Sequence, residues 1–385
     1  MGITRRQILG GSAAVLAAAG LGIYLKTKPK PIVLGFAPDP DMLQSAKALI
    51  TKVPSFDLHA HPGRTFVKDA HGLKGMIKLY AARGTFEDKA IADMKAGGMN
   101  AAAFMIVSDF QILNLVKGKG LMPIREFDEG EAWASYKTQM GNLKALATRG
   151  LIQPVFTSTD ILRAKKAGKI AALYGSEGGD FLGGSVERLH EAYQDGLRII
   201  NPMHYHHNEI GDIMTIAPHH NGLTQAGVSI IEEMNRLGIV IDAAHASLES
   251  LSHILNVSHH PIVCSHTHIL KDGQTMPRFI SKDLALRIAE NGGVIGAWPA
   301  GLGISTMDGF ITRILELVDI VGVDHVGLGT DMDANYKPVW DNYADFPLIV
   351  MRMMQRGLHE DEISKIIGGN GLRVLERVTE HKRLR

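Results

Sequence analysis

The sequence predicts an α/β protein of the (β/α)₈ TIM-barrel class. Eight short apolar runs rich in β-forming residues alternate with helical patterns, which is typical of parallel strands joined by helical crossovers. The 385 residues leave room for a barrel of roughly 250 residues plus insertions. An open doubly wound sheet is the alternative, but no G-x-G-x-x-G follows the first run, which weakens a nucleotide-binding fold of that kind.

Most of the predicted strands end in polar residues or glycine. They span residues 56–61, 101–107, 171–178, 197–205, 239–247, 261–268, 292–299 and 325–333. The segment 153–159 could add a ninth short strand, which we interpret as an insertion. Among the predicted helices, "TQAGVSIIEEMNRLG" carries an apolar stripe and closes on Gly238, a residue suited to end a helix.

The domain organisation predicted is an N-terminal segment, 1–30, followed by one barrel domain, 31–385, with a helical insertion around 108–150. The first segment has Arg5 and Arg6 ahead of an apolar run from Ile8 to Leu25. It resembles a bacterial twin-arginine export signal, although Phe is commoner at the position of Ile8. We therefore expect a periplasmic protein, with an uncleaved membrane anchor as the alternative reading of the same segment.

The composition limits the kinds of site that the chain can build. A net charge of +1 with 21% charged residues does not favour a nucleic-acid-binding surface. Cys264 is the only cysteine, so an intrachain disulfide and a cysteine-rich zinc module are both excluded. Histidine is abundant, with 18 copies. Any metal site must therefore use His, Asp and Glu.

Metal-capable side chains recur at the carboxyl ends of the predicted strands. Active sites of (β/α)₈ barrels lie on that face, because the loops leaving the strands converge there. A single histidine near a strand end is more often a buried structural side chain, so the repetition carries the prediction. The residues are His59, His61, Glu177, His204, His245, His266 and Asp331.

The first strand contributes two of these residues. Side chains alternate along a strand, so His59 and His61 point the same way, about 6–7 Å apart along the chain. Both imidazoles could reach one ion. The Pro-Gly that follows ends the strand and begins the first loop of the barrel mouth.

Five motifs follow one another along the chain: "YGSEGGDFLGGSVERLHEAYQDGLRIINPMHY", "GLTQAGVSIIEEMNRLGIVIDAAHAS", "PIVCSHTH", "PRFISKD" and "GVDHVGLGTDMD". Their sequences and order resemble those of the renal-type (membrane) dipeptidase family, binuclear-zinc barrels of the amidohydrolase group. The resemblance runs from Phe56 to the "GGNGLRVLERV" near the C-terminus, most of the chain.

The resemblance implies two Zn²⁺ ions per chain, with other divalent metals as alternatives. It implies that His59 binds one ion, that Glu177 bridges both, and that the second ion is held by the pair His245 and His266.

The same resemblance implies roles for three residues that contact the substrate or move protons. His204 would contact the reacting carbonyl, Asp331 would move protons, and Arg278 would hold the terminal carboxylate of the substrate. A one-residue length difference after His266 affects the register that assigns Arg278.

One departure from the family pattern concerns His61. The family usually has D-x-H-x-D in the first strand, whereas this chain has Asp57, His59 and His61. Histidine is a sound zinc ligand, so we expect His61 to bind metal with one negative charge fewer in the site.

The function implied is hydrolysis of dipeptides, including those with a D-residue, by a hydroxide that bridges the metals. The alternatives are an amidohydrolase that acts on another amide, an N-acyl amino acid or a lactone, and a non-catalytic metal-containing binding protein. The expected partner is a small-molecule substrate, with no nucleic acid, and with membrane contact only through an uncleaved N-terminal segment. A homodimer remains open.

Overall fold

The computed structural model describes residues 31–271, 273–276 and 278–380. The predicted export signal or anchor, 1–30, lies outside these residues. Within them, no helix combines the length and the apolar character needed to cross a membrane. From Leu34 onward the described residues belong to one compact unit.

Eight parallel strands form a nearly closed barrel, which confirms the predicted (β/α)₈ fold. Around the barrel the strands follow one another in chain order, interrupted only by three short extra strands. Its members are β1 Phe56–Ala60, β2 Ala101–Val107, β6 Ala171–Glu177, β7 Ile199–Asn201, β8 Val240–Ile241, β9 Val263–Thr267, β10 Val294–Ala297 and β11 Val326–Leu328.

The barrel closes between β8 and β9 through very few backbone contacts. A single parallel bridge joins Asp242 and Val263, and the Ala243 N–H donates to the Val263 carbonyl at 2.8 Å. A side chain adds to this seam, because Asp242 Oδ1 accepts from the Ser265 N–H at 2.9 Å. The β8–β9 seam therefore depends on side chains as well as on the ladder.

Helices cover the barrel and fill the connections between strands. Gly238 ends the helix that follows β7 in a left-handed conformation, as the sequence predicts. The helices are α1 Pro40–Lys52, α2 Gly75–Ala81, α3 Glu87–Gly97, α4 Glu131–Thr148, α5 Ser158–Lys166, α6 Val186–Asp195, α7 Gln225–Leu237, α8 Leu248–Val257, α9 Lys282–Glu290, α10 Met307–Val321, α11 Phe346–Gln355, α12 Glu360–Ser364 and α13 Asn370–Glu380.

Three predicted strands are much longer in the sequence than in the structure. The predicted strand 325–333 is reduced to β11, because the backbone leaves the extended conformation before Asp331, whose φ is +53°. The predicted strand 197–205 is reduced to β7, because Pro202 has no N–H with which to continue the ladder. The predicted strand 239–247 is reduced to β8, since Asp242 Oδ1 accepts from the Ala244 N–H and turns the chain. His204 and His245 consequently lie in loops just beyond their strands.

The segment 108–150 contains more than the helical excursion that the sequence predicts. The helix α4 occupies its second half, but the first half forms an antiparallel hairpin of β3, Leu113–Val116, and β4, Gly120–Pro123. The predicted ninth strand exists as β5, Gln153–Val155, which pairs in parallel with the beginning of β6.

A buried apolar core packs against the barrel strands and holds them in place. Apolar side chains from the barrel strands and from α13 pack into one buried cluster that includes Leu58, Met105, Leu173, Val294 and Leu375. Close packing of this kind leaves little freedom for the strands to shift. The polar residues at the carboxyl ends are therefore held in fixed positions.

Candidate metal centre at the carboxyl end of the barrel

Glu177, the last residue of β6, is the central carboxylate of the site. The Nε2 atom of His59 lies 3.3 Å from Glu177 Oε1, and the Nε2 atom of His61 lies 3.3 Å from Oε2. All three side chains are buried. The two histidines of the first strand therefore face the same carboxylate, as the alternation along β1 predicts.

Two further histidines approach Glu177 from the loop after β8 and from β9. The Nε2 atoms of His245 and His266 lie 2.9 and 3.4 Å from Oε1. Four imidazoles thus surround one carboxylate, and this is the set that the sequence predicts for a pair of metal ions.

The spacing of the ring nitrogens fits a metal ion. Nε2 of His59 lies 3.2 Å from Nε2 of His61, and Nε2 of His245 lies 3.0 Å from Nε2 of His266. Ring nitrogens this close place lone pairs or protons against each other unless a proton or a cation lies between them. Two nitrogens bound to one tetrahedral zinc ion would be separated by about 3.3 Å. The donor set therefore suits divalent metal binding.

Three overlapping groups of buried side chains in the described residues could each hold an ion. One matches the predicted second site, one adds Asp331 to the first-strand pair, and one joins the first strand to Asp242. The groups are Glu177, His245 and His266; His59, His61 and Asp331; and His59, Asp242 and His266.

His61 is oriented as a ligand by the main chain. Its Nδ1–H donates to the Met105 carbonyl at 3.0 Å, which leaves the Nε2 lone pair directed at the site. A backbone carbonyl on the far nitrogen is a common support for a metal-binding histidine. The same Nε2 lies 3.4 Å from Asp331 Oδ1. Histidine therefore fits the position where the family pattern has a carboxylate.

The support for His59 and His266 comes from residues that the sequence prediction missed. Ser265 Oγ lies 3.2 Å from Nδ1 of His59 and 2.9 Å from Nδ1 of His266. Asp242 Oδ2 lies 3.5 Å from the same nitrogen of His59. Asp242 directly follows β8 and Ser265 lies in the middle of β9, and no sequence motif marks either residue as a support for a histidine.

Asp57 belongs to the structural frame of the site. It is fully buried, and Oδ1 accepts from the N–H groups of His59 and Thr330 at 3.1 and 3.0 Å. Oδ2 accepts from the Tyr343 hydroxyl at 2.7 Å. Asp57 thus ties β1 to the loop after β11, and both of its oxygens are occupied by these bonds.

His204 lies at the edge of the centre with its ring held by a carboxylate. Its Nδ1–H donates to Asp109 Oδ1 at 2.6 Å, and Asp109 Oδ2 accepts from the Tyr205 N–H at 2.9 Å. The Nε2 atom lies 3.4 Å from Glu177 Oε2 and faces the centre. Asp109, two residues beyond β2, is a second supporting residue that the sequence prediction missed.

Arg278 is placed beside the centre, as its predicted role requires. Its guanidinium donates to the Ala244 carbonyl, lies 2.9 Å from Nε2 of His245, and lies 5.1 Å from the Trp298 ring centre. Its Nε–H has no partner among the described residues. The lone pair of His245 cannot serve both Arg278 and a metal ion, so metal binding by His245 requires the guanidinium to move.

Asp331 is presented by a loop with unusual backbone geometry. Asp331 and Asp333 have φ angles of +53° and +71°, and the Asp331 N–H donates to the His59 carbonyl at 2.9 Å. Asp333 Oδ2 accepts from the Gly63 N–H at 2.7 Å. Gly63 is required there, because a Cβ on it would lie 2.4 Å from the Glu87 Cα. The loops after β1 and β11 therefore support each other.

The protonation of the central groups suits metal binding on one side of the site. Burial lowers the pKa of His245 and His266 well below the ordinary histidine value, which favours the neutral imidazole that metals bind. Burial alone would raise the pKa of Glu177, but positive charge on His204 and His59 lowers it well below its usual range. Glu177 is therefore an anion.

On the first-strand side, metal must compete with protons. Burial lowers the pKa of His59, but the charge of Glu177 and a hydrogen bond with Asp242 raise it to about 10. Burial likewise opposes protonation of His61, and its hydrogen bonds with Asp331 and Glu177 raise its pKa. Metal affinity at these two residues should fall as pH falls, since binding displaces protons.

Comparisons with known proteins identify the family of this chain. The sequence profile of the family described as membrane dipeptidase, peptidase family M19, matches residues 43–384. The dipeptidase verJ of Clonostachys rogersoniana is 30% identical over 231 residues, 58% of this chain and 59% of that protein. The dipeptidase tcpJ of Claviceps purpurea (strain 20.1) is 30% identical over 233 residues, 57% and 54% of the two lengths. The chain thus spans a little over half the length of these relatives.

Solved structures share the fold over most of their length. A probable dipeptidase, PvdM from Pseudomonas aeruginosa, superposes with a TM-score of 0.72 at 18% identity, covering 89% of this chain and all of that one (100%). A metallo peptidase from Rhodobacter sphaeroides, liganded with a phosphinate mimic of the dipeptide L-Ala-D-Ala, gives 0.71 at 21% identity, covering 85% and 99%. At these identities the structures support the barrel fold.

Proposed function

Because this chain belongs to the membrane dipeptidase family, peptidase family M19, we propose that it hydrolyses the peptide bond of dipeptides with two bound divalent ions, zinc in the first instance. The observation that carries the proposal is the convergence of four buried imidazoles on the Glu177 carboxylate. The ligands would be the pair His59 and His61 for one ion, the pair His245 and His266 for the other, and Glu177 between them.

Two side chains around this centre would take part in the reaction, one in proton transfer and one in stabilising the oxyanion. Bound divalent ions would supply an acidified water and polarise the scissile carbonyl. Asp331, whose Oδ1 faces His61, would accept the proton of the attacking water and pass it to the leaving amine. His204 would donate from Nε2 to the carbonyl oxygen as negative charge develops there, with its ring held by Asp109.

The substrate class is proposed from Arg278. A buried guanidinium beside a metal centre suits the terminal carboxylate of a short substrate, which it can bind with two parallel hydrogen bonds. The ligand described for the Rhodobacter sphaeroides structure is a phosphinate mimic of the dipeptide L-Ala-D-Ala, which supports including L,D-dipeptides.

A substrate screen with an Arg278→Met variant tests this function. We expect the zinc-loaded protein to cleave L,L- or L,D-dipeptides, and Arg278→Met to lower kcat/KM by roughly 30- to 150-fold, since hydrogen bonds to charged groups contribute about 2–3 kcal/mol. Dipeptide amides, which lack the carboxylate, are the matched control, and the variant should cleave them as the unchanged protein does. Turnover of N-acyl amino acids or lactones without any dipeptide cleavage would overturn the proposal in favour of another amidohydrolase reaction.

We also propose that the protein acts in the periplasm, on the basis of the paired Arg5 and Arg6 ahead of an apolar run. A fusion of residues 1–35 to a folded reporter should be exported in a bacterium with a twin-arginine pathway. Replacing both arginines with lysine should reduce export by about tenfold or more, as a change between arginine and lysine is not conservative where the guanidinium is recognised. Equal export of both fusions would contradict the assignment.

A further inference from the structure

Two neighbouring elements beside the barrel mouth form a surface unlike the rest of the protein. They are α2, Gly75–Ala81, which follows β1, and the β3–β4 hairpin with Ile124, which follows β2. The Met76 N–H donates to Asn114 Oδ1 at 3.1 Å, which joins the helix to the hairpin. Since both elements leave the carboxyl ends of their strands, this surface, here called the flap, lies on the same side as the metal centre.

The flap exposes large apolar side chains that no element of the described residues covers. Nine large apolar residues are exposed in the part of the chain that the structure describes, and four of them lie here. Their exposed fractions are 48% for Met76, 50% for Leu79, 51% for Leu115 and 41% for Ile124. Met76 and Leu79 are three residues apart and so share one face of α2. A cluster of this kind commonly marks an interaction site.

The same surface is purely basic. Residues 74–83 and 113–124 contain no Asp or Glu. Five cations lie in these segments, all exposed and none in an ion pair with a described residue: Lys74, Lys78, Arg83, Lys117 and Lys119. The flap therefore combines exposed apolar side chains with unneutralised positive charge.

We propose that the flap docks on the surface of an anionic phospholipid bilayer. Apolar side chains that enter the boundary between headgroups and acyl chains, flanked by lysines that attract anionic lipid, are the combination by which peripheral proteins bind membranes. A second copy of this chain fits less well, because a two-fold contact through the flap would bring ten cations together. Docking of this kind would turn the barrel mouth toward the lipid.

This inference goes beyond peptide hydrolysis and does not depend on it. It also concerns a different part of the chain from residues 1–30, so the experiment must separate the two. Cys264, the only native cysteine, is buried, and a thiol-reactive polarity-sensitive dye would therefore label a cysteine introduced on the surface.

The experiment uses the full chain labelled at Leu79→Cys and, as a matched control, at Leu162→Cys. Leu162 is 46% exposed and has basic neighbours, but it lines a cavity with Pro54 and Asn100, which precede β1 and β2, and so it lies at the opposite end of the barrel. We expect vesicles of phosphatidylglycerol to shift the emission of the Leu79→Cys dye to the blue. Phosphatidylcholine vesicles should not shift it, and the emission of the Leu162→Cys dye should not change with either kind of vesicle.

The charge requirement is tested with matched double variants. Removing two flap cations with Lys78→Gln and Lys119→Gln should weaken partitioning onto phosphatidylglycerol vesicles, read from the Leu79→Cys dye, by about 25-fold, taking roughly fivefold for each cation. Removing two exposed cations of the opposite end with Lys166→Gln and Lys169→Gln should leave this partitioning within twofold of that of the protein that keeps both lysines.

Three results would overturn the inference. They are equal shifts of the two dyes on vesicles, no shift at Leu79→Cys, and a shift at Leu79→Cys that grows with protein concentration in the absence of lipid. The last of these would assign the flap to contact between copies of the chain.

Discussion

Glu177→Gln is expected to reduce bound metal below two ions per chain and to lower turnover by a factor of about 10² to 10⁴. Glu177 is buried, and its two oxygens face five imidazoles at 2.9–3.4 Å, those of the four proposed ligands and that of His204. The amide keeps the shape but removes the negative charge and one acceptor oxygen. Removing one partner from a buried charged set costs about 3–5 kcal/mol. Elemental analysis of the desalted protein, with steady-state rates at fixed zinc, measures both effects.

His61→Asp is the matched control for this first prediction. It changes another of the proposed ligands in the same centre, but it restores the carboxylate usual in the family. We expect it to retain two ions and measurable turnover, with tighter binding of the first-strand ion because one negative charge is added. A Glu177→Gln protein with two tightly bound ions and unchanged rates would remove Glu177 from the centre.

Asp331→Asn should lower kcat by about 10² to 10⁴ while the protein keeps its metal and its melting temperature. The variant is nearly isosteric, so the Asp331 N–H can still donate to the His59 carbonyl. What is lost is the ability to accept and return a proton, which contributes about this much in general acid–base catalysis. Rates, metal content and thermal unfolding measured on one preparation separate the chemical effect from a structural one.

Asp333→Asn provides the comparison for Asp331→Asn. It lies two residues away in the same strained loop, and an Asn oxygen can still accept the Gly63 N–H that Asp333 accepts now. We expect its kcat to stay within about threefold of the unchanged protein. Full turnover by a metal-replete Asp331→Asn protein would show that Asp331 carries no proton in the reaction.

Much of the fold follows from sequence pattern because the barrel repeats one unit. The alternation of apolar runs with amphipathic helices is a local property, and it located all eight barrel strands. The family was identified from the order of several motifs, and it is confirmed. The predicted ends of β7, β8 and β11 were wrong. Pro202 and the Asp242 side chain stop the first two ladders within apolar segments, and β11 ends at Leu328. The β3–β4 hairpin was missed, because its "KGKG" turn does not distinguish a hairpin from an open loop.

Some residues of the candidate site could be predicted from the sequence and others could not. His59, Glu177 and His266 stand at strand ends, where chain position alone brings them to one face of the barrel. Ser265 and Asp109 could not be identified, because the contact of Ser265 with His59 and that of Asp109 with His204 join segments far apart in sequence. The direction of the Arg278 guanidinium toward His245 is likewise a tertiary property that no motif records.

Two of the proposed metal ligands lie on opposite sides of the β8–β9 seam, which links metal binding to closure of the barrel. His245 leaves the loop after β8 and His266 stands in β9, so an ion held by both would cross-link the two edges of the sheet where the backbone ladder is thinnest. Metal binding and barrel closure would then be thermodynamically linked, and each would favour the other by the same free energy. A substitution in the ladder that touches no ligand could thus change the affinity for metal.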